Sequence, residues 1–223
     1  MFTRCIDLIG ENNFHKIQNT KVLIIGLGGV GGYALECFVR SGIKDVTIID
    51  YDSIDESNLN RQIISNSNNI GLNKVLEAEK RAKKINPNIN VIAVNKCVTE
   101  DNIDDILKEK FDYVIDACDT TIVKFLLMKK RDKYGYKLIS SMGTAKKMNP
   151  LKLTITTLDK TSYDPLAKKL RYMLRRDKIR GKFTVVSSTE EVLMSDNLGS
   201  FVFVPAYAGI LLANYVIKDI INN

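Results

Sequence analysis

The stretch KVLIIGLGGVGG, residues 21–32, constrains the fold more than any other part of the chain. Its unbroken run of Val, Leu and Ile reads as a parallel strand buried on both faces, because a half-exposed strand would alternate with polar residues. Residues from Val30 to Arg40 then read as a helix, with glycines filling the turn between the two. Gly26 permits the tight turn, Gly28 lets backbone approach a phosphate, and Gly31 lets helix pack on strand. Gly29 lies among them, and all four are candidate nucleotide contacts. About twenty residues further on, Asp50 ends a second strand, VTIID, where a carboxylate meets a ribose hydroxyl in dinucleotide sites. At this stage NAD and ATP fit equally well.

The alternation of strand and helix continues to Ser141. Strands are expected at KVLIIG, VTIID, NVIAV, YVIDA and KLISS, with helices from about Val30, Asn73, Asp101 and Thr121. This is an α/β pattern: a Rossmann-like, doubly wound, mainly parallel sheet. Gly26, Asp50, Asp116 and Ser141 then share its carboxyl edge, where open parallel sheets bind ligands. Beyond Pro150 comes an extended C-terminal β/α part with strands at LKLTITTL and KFTVVSS. Asp164 is placed to cap a helix whose first position is Pro165. A last helix, from about 205 to 221, is apolar on most faces, as a core or subunit-contact helix would be. No linker separates a second domain. The expectation is one domain, 1–223, with a nucleotide-binding part (1–149) and a substrate-binding, dimer-contact part (150–223).

Bulk properties narrow the class. The 223 residues are 45% hydrophobic and 26% charged, as in an ordinary globular protein. No apolar run approaches the roughly 18 residues of a membrane span, and the start of the chain has no apolar leader core, so a cytoplasmic protein with no membrane partner is expected. Cys5, Cys37, Cys97 and Cys118 lack C-x-x-C spacing and read as small buried hydrophobes. His15, the sole histidine, reads as capping or packing near the first helix. A formal charge of +7 favours a polyanionic partner.

A dinucleotide site needs one acidic residue after the second strand, whereas this chain offers Asp50 and Asp52, then NLNRQ, then Lys74 after Gly71. Hydride transfer has no use for that set, but a triphosphate under attack does. Arg61 and Lys74 can clamp phosphate oxygens and offset the charge that develops as pyrophosphate leaves. Asn58 and Gln62 can position ribose or phosphate by hydrogen bonds. In VIDACDTT, a carboxylate at Asp116 or Asp119 can hold the magnesium that bridges a triphosphate, although Asp119 is also placed to cap the helix beginning near Thr121.

Together, GLGGVGG, DYDSIDESNLNRQ, GLNK and DACDTT resemble the nucleotide site of the ThiF/MoeB superfamily of ubiquitin-activating-type enzymes, which adenylate a carboxylate with ATP. The resemblance implies that Asp52, Asn58, Arg61, Gln62 and Lys74 contact ATP, that Asp119 binds magnesium and that Asp116 is structural. It also implies that Arg4, in FTRCIDLIG, reaches the ATP site of the partner subunit in a homodimer. With no cysteine after Cys118, a thioester formed in the C-terminal half is excluded.

The segments SSMGTAKKMNPLKLTITTLDKTSYDPLAKKLRYMLRR and VVSSTE are similar to the tRNA threonylcarbamoyladenosine dehydratase branch. That likeness implies ATP-dependent closure of the threonylcarbamoyl group beside a tRNA anticodon, with sulfur-relay accessory proteins as further partners. Ring closure by a neighbouring atom of the same nucleotide makes an enzyme nucleophile unnecessary. In the helix from Asp164, Lys168, Arg171, Arg175 and Lys178 recur as one basic face suited to tRNA phosphates. Lys169, Arg176, Arg180 and Lys182 add to it, while Leu166, Leu170 and Met173 form an apolar stripe. Two features depart from the branch: Gly32 where relatives often carry serine, and a short segment near 191–199. Competing readings are an adenylating enzyme for a small carrier protein, which the missing zinc cysteines oppose; an NAD oxidoreductase; and a non-catalytic tRNA-binding module.

Overall fold

The computed structural model describes residues 1–194, 197 and 199–223. Seven strands, β1 (Lys21–Ile25), β2 (Asp45–Asp50), β3 (Asn90–Asn95), β4 (Tyr113–Asp116), β5 (Lys137–Ser141), β6 (Leu153–Thr157) and β7 (Thr184–Ser188), make one sheet. Their order is β3-β2-β1-β4-β5-β7-β6. Every neighbouring pair is parallel except β6 with β7 at the edge. The order reverses at β1, with β2 on one side and β4 on the other, and that reversal opens a crevice beyond the carboxyl ends. Register keeps those ends level: Ile25 faces Ile49 and Asp116, and Asp116 faces Ser140.

The apolar run of β1 is buried on both faces, as its composition requires. Val22 and Ile24 join a core layer with α3 (Gly31–Ser41), α4 (Lys74–Ile85) and α8 (Phe203–Asn222). Leu23 and Ile25 join the opposite layer with α5 (Ile103–Leu107), α6 (Thr121–Tyr134) and α7 (Pro165–Arg176). Two short helices, α1 (Thr3–Ile9) and α2 (Glu11–Gln18), precede the sheet; Phe14 of α2 sits against the end of α3, where a side chain at Gly42 would meet its ring at 2.6 Å. His15 is exposed in the last turn of α2.

At 20 residues, α8 is longer than the sequence pattern indicates, and by length and composition alone it is apolar enough to cross a membrane. Its packing is that of a core helix: at Gly209 a Cβ would lie 2.3 Å from the Val30 carbonyl, so α8 rests directly on the start of α3. In α7 the predicted cap is present, with the Ala167 N–H donating to Asp164 Oδ1 at 2.9 Å. The buried stripe, however, is Ala167, Leu170 and Leu174, with Leu166 and Met173 only partly covered. The helix is therefore rotated by about one position, because its main contacts come from α6 and the 3₁₀ turn at Leu158–Lys160.

Candidate active site

The level carboxyl ends of β1, β2, β4 and β5 surround a cleft of about 870 Å³. Its floor is the turn after β1. Gly26 has φ +90°, and a Cβ there would lie 2.8 Å from both the Ala117 carbonyl and the Cys118 nitrogen, so only glycine lets the β1 and β4 loops touch. Gly28 and Gly29 line the cleft, but Gly31 does not. A Cβ at Gly31 would fall 1.8 Å from the Gly26 carbonyl, which makes this glycine a packing position between helix and turn. No side chain caps α3, and its Gly32 N–H is taken by the Gly28 carbonyl at 3.1 Å, so the backbone that faces the cleft as an anion cradle is the turn at Gly28 and Gly29 just before the helix.

Asp50 braces this loop. Its Oδ2 accepts the Leu27 N–H at 2.6 Å and its Oδ1 the Asp52 N–H at 2.9 Å, so the carboxylate fixes the turn as well as facing the cleft. Asp52 takes a hydrogen bond from the buried Lys74 Nζ at 2.7 Å. The pair is charge-balanced. Asn58 belongs to a capping box with Asp55 that shapes a 3₁₀ turn at Glu56–Asn58 and turns the following residues into the cleft. Arg61 Nη1 donates to the Ser57 carbonyl at 2.6 Å and to Asn60 Oδ1 at 3.0 Å. Gln62 is 6% exposed, and its Oε1 has no hydrogen-bond partner, an orphaned acceptor on the cleft wall. Asn60 Nδ2 donates to the Ser200 carbonyl at 2.9 Å, which joins this wall to the segment before α8.

Asp119 is exposed at the β4 edge of the cleft. It is not the cap of α6: that position is Thr120, whose hydroxyl reaches Asp119 Oδ1 at 3.4 Å. Asp116 is fully buried against Lys124 at 2.9 Å, and the same ammonium donates to the Ser141 carbonyl at 2.8 Å. This ion pair ties the ends of β4, α6 and β5 behind the cleft, in line with a structural Asp116. Among the described residues no group of three His, Cys, Asp or Glu side chains could hold a metal alone. Asp119 could supply one carboxylate oxygen to a Mg²⁺ whose other ligands are phosphate oxygens and water, the usual coordination of that ion in nucleotide sites. Cys118 lines the cleft, but burial, reinforced by Asp116, pushes its thiol well above the ordinary range and keeps it protonated.

The structure separates other sequence expectations. Arg4 is exposed on α1 and does not line the cleft. Nearby Phe2 lines a small cavity with Lys44, Asn86 and Asn88, at the amino edge of the sheet. Arg171 is not part of the exposed basic face: its guanidinium turns inward to the Leu158 and Thr161 carbonyls and the Thr161 hydroxyl. Lys168, Lys169, Arg175 and Lys178 remain exposed. The shortened segment near 191–199 falls partly outside the described residues. Sequence reasoning missed Lys96, which lines the cleft, and Lys124. The signal for Lys124 was a lone lysine within the apolar run IVKFLLM.

A profile of the ThiF family matches residues 2–223. The tRNA threonylcarbamoyladenosine dehydratase of Bacillus subtilis (strain 168) is 33% identical over 100% of this chain and 95% of its own. The E. coli tRNA N6-threonylcarbamoyladenosine dehydratase TcdA superposes with TM-score 0.94 in its complex with ATP, at 31% identity over 99% of this chain and 93% of that one. Its complex with AMP gives TM-score 0.93 at 32% identity, over 98% and 93%.

Proposed function

The chain belongs to the ThiF family, and we propose that it is an ATP-dependent tRNA threonylcarbamoyladenosine dehydratase. The observation that supports this most is the convergence of the glycine loop, Arg61, Lys74 and Asp119 on one cleft in a chain similar to such enzymes from end to end. The carboxylate of the threonylcarbamoyl group attacks the α-phosphorus of ATP, and pyrophosphate leaves. A neighbouring atom of the same modified adenosine then attacks the acyl adenylate, expels AMP and closes the ring, with net loss of one water. No enzyme nucleophile is required, in keeping with a Cys118 that stays protonated.

In this reading the α3 N-terminus and the N–H groups of Gly28 and Gly29 receive phosphate, and Gln62 Oε1 accepts from the nucleotide. Lys74 exchanges Asp52 for a phosphate oxygen, and Arg61 stabilises charge on the departing pyrophosphate. Asp119 would hold Mg²⁺, which neutralises phosphate charge. Arg4 acts in a partner's cleft within a homodimer. The single sheet carrying both β1–β5 and β6–β7 supports one adenylation domain over 1–223, with 1–149 holding nucleotide and 150–223 substrate. A tRNA substrate accords with a cytoplasmic location, and sulfur-relay accessory proteins are further proposed partners.

The test is pyrophosphate release from Mg-ATP with and without tRNA bearing threonylcarbamoyladenosine. Release should require that tRNA. Reversing charge with Lys168→Glu and Lys169→Glu should raise KM for tRNA by about tenfold at moderate salt, with ATP affinity unchanged, since each lost phosphate contact weakens binding and its salt dependence. Release without tRNA, or an unaltered KM in the charge-reversed variant, would contradict the assignment of substrate or of interface.

A further inference from the structure

Lys147 lies in the segment after β5 and is 2% exposed, yet its Nζ has no hydrogen-bond partner. A buried ammonium with all its donors unused is costly, and such groups persist where they set the geometry of something else. Its nearest charge is Asp164 Oδ2, at 3.8 Å. That oxygen also accepts the Gly143 N–H at 2.9 Å, and Gly143, Thr144 and Ala145 form the β5-side wall of the cleft. The other carboxylate acting on Lys147 is Glu190, just past β7. Glu190 accepts the N–H groups of Met148 at 3.0 Å and Asn149 at 2.9 Å. One carboxylate thus holds the beginning of the segment and the other its end, with the ammonium buried between.

We propose that Lys147 is a positioning residue that, through Asp164 and Glu190, fixes the wall at 143–145 against which the modified adenosine is aligned. The site of action rests on the dehydratase reading, since that wall lies across the cleft from the glycine loop. Burial draws the Lys147 ammonium below the ordinary lysine range while Asp164 and Glu190 oppose this, so the clamp is one of balanced charge.

The test compares wild type with Lys147→Met, which keeps length and removes charge. Expected are a fall in kcat for tRNA dehydration of about 10- to 100-fold, the size of effect that a displaced alignment produces, and an ATP Kd unchanged within about twofold. Lys147→Arg should recover part of the kcat. Equal losses in ATP binding and in tRNA turnover, or a kcat like that of wild type, would overturn the proposal. Should Lys147→Met fail to fold, Glu190→Gln keeps an acceptor for Met148 and Asn149 while removing charge. It should lower kcat by a few-fold, and an unchanged kcat would count against the clamp. If wild type turns over no tRNA, the functional reading has failed instead. Amide exchange at Gly143 then decides the clamp: faster exchange in Lys147→Met supports it, and equal exchange refutes it.

Discussion

Asp119→Asn should lower tRNA-dependent pyrophosphate release by about 100- to 1000-fold, the loss seen when one preorganised charge contact to a reacting centre is removed. Its melting temperature should stay within about 2 °C of wild type, because an exposed side chain that makes no cap is worth little to stability. The structure separates these effects cleanly: Asp119 lies at the cleft edge, the α6 cap is Thr120, and among the described residues the hydrogen bond to the Asp119 carboxylate is from the Thr120 hydroxyl at 3.4 Å. Arg61→Ala should show a similar kinetic loss with a small structural cost, since its two hydrogen bonds go to Ser57 and Asn60 in the same turn. Near-normal release by Asp119→Asn would remove Asp119 from the magnesium role.

The second large effect falls on stability. Lys124→Met should destabilise the protein by about 3–5 kcal/mol at neutral pH, because it strands the fully buried Asp116 carboxylate without its counter-charge. Asp116 Oδ2 already lacks a hydrogen-bond partner, and besides Lys124 the side-chain donor to the carboxylate among the described residues is the neutral Cys118 thiol on Oδ1 at 3.2 Å, so no second cation takes over. Adding Asp116→Asn should recover much of the loss, because it removes the uncompensated charge. Denaturant midpoints at pH 7 provide the measurement, and a deficit below about 1 kcal/mol would show the pair to be dispensable.

Several features were legible because their causes are local. The apolar run and glycines of residues 21–32 dictate a two-faced strand and a tight turn without reference to the rest of the chain. The Asp164 cap followed by Pro165 likewise announces a helix start that the structure reproduces. That Asn58, Arg61, Gln62 and Lys74 would share one cleft was legible in the sequence, because few chemistries use that combination. What stayed hidden depends on distant partners. Arg171 has the spacing of a basic face, but its acceptors, at Leu158 and Thr161, lie 13 and 10 residues upstream in a turn that only the fold brings near. Lys147 looks like a surface lysine until Asp164 arrives from another element, and Lys124, marked only by its apolar run, finds its counter-charge when β4 brings Asp116 near. Lys96 reaches the cleft only through the sheet's register, since β3 ends level with β2. The short helices α1 and α2 gave no distinct signal ahead of the strand.

Two competing readings meet specific obstacles. A hydride-transfer site leaves Arg61, Lys74 and the orphaned Gln62 acceptor without a task. An adenylating enzyme for a small carrier protein lacks here the C-x-x-C pairs that would bind its zinc. The most direct measurement is the mass of the modified adenosine recovered after tRNA bearing threonylcarbamoyladenosine is incubated with the protein and Mg-ATP. The account predicts a nucleoside lighter by one water, formed only when ATP is present. An unchanged nucleoside mass alongside ATP consumption would contradict it.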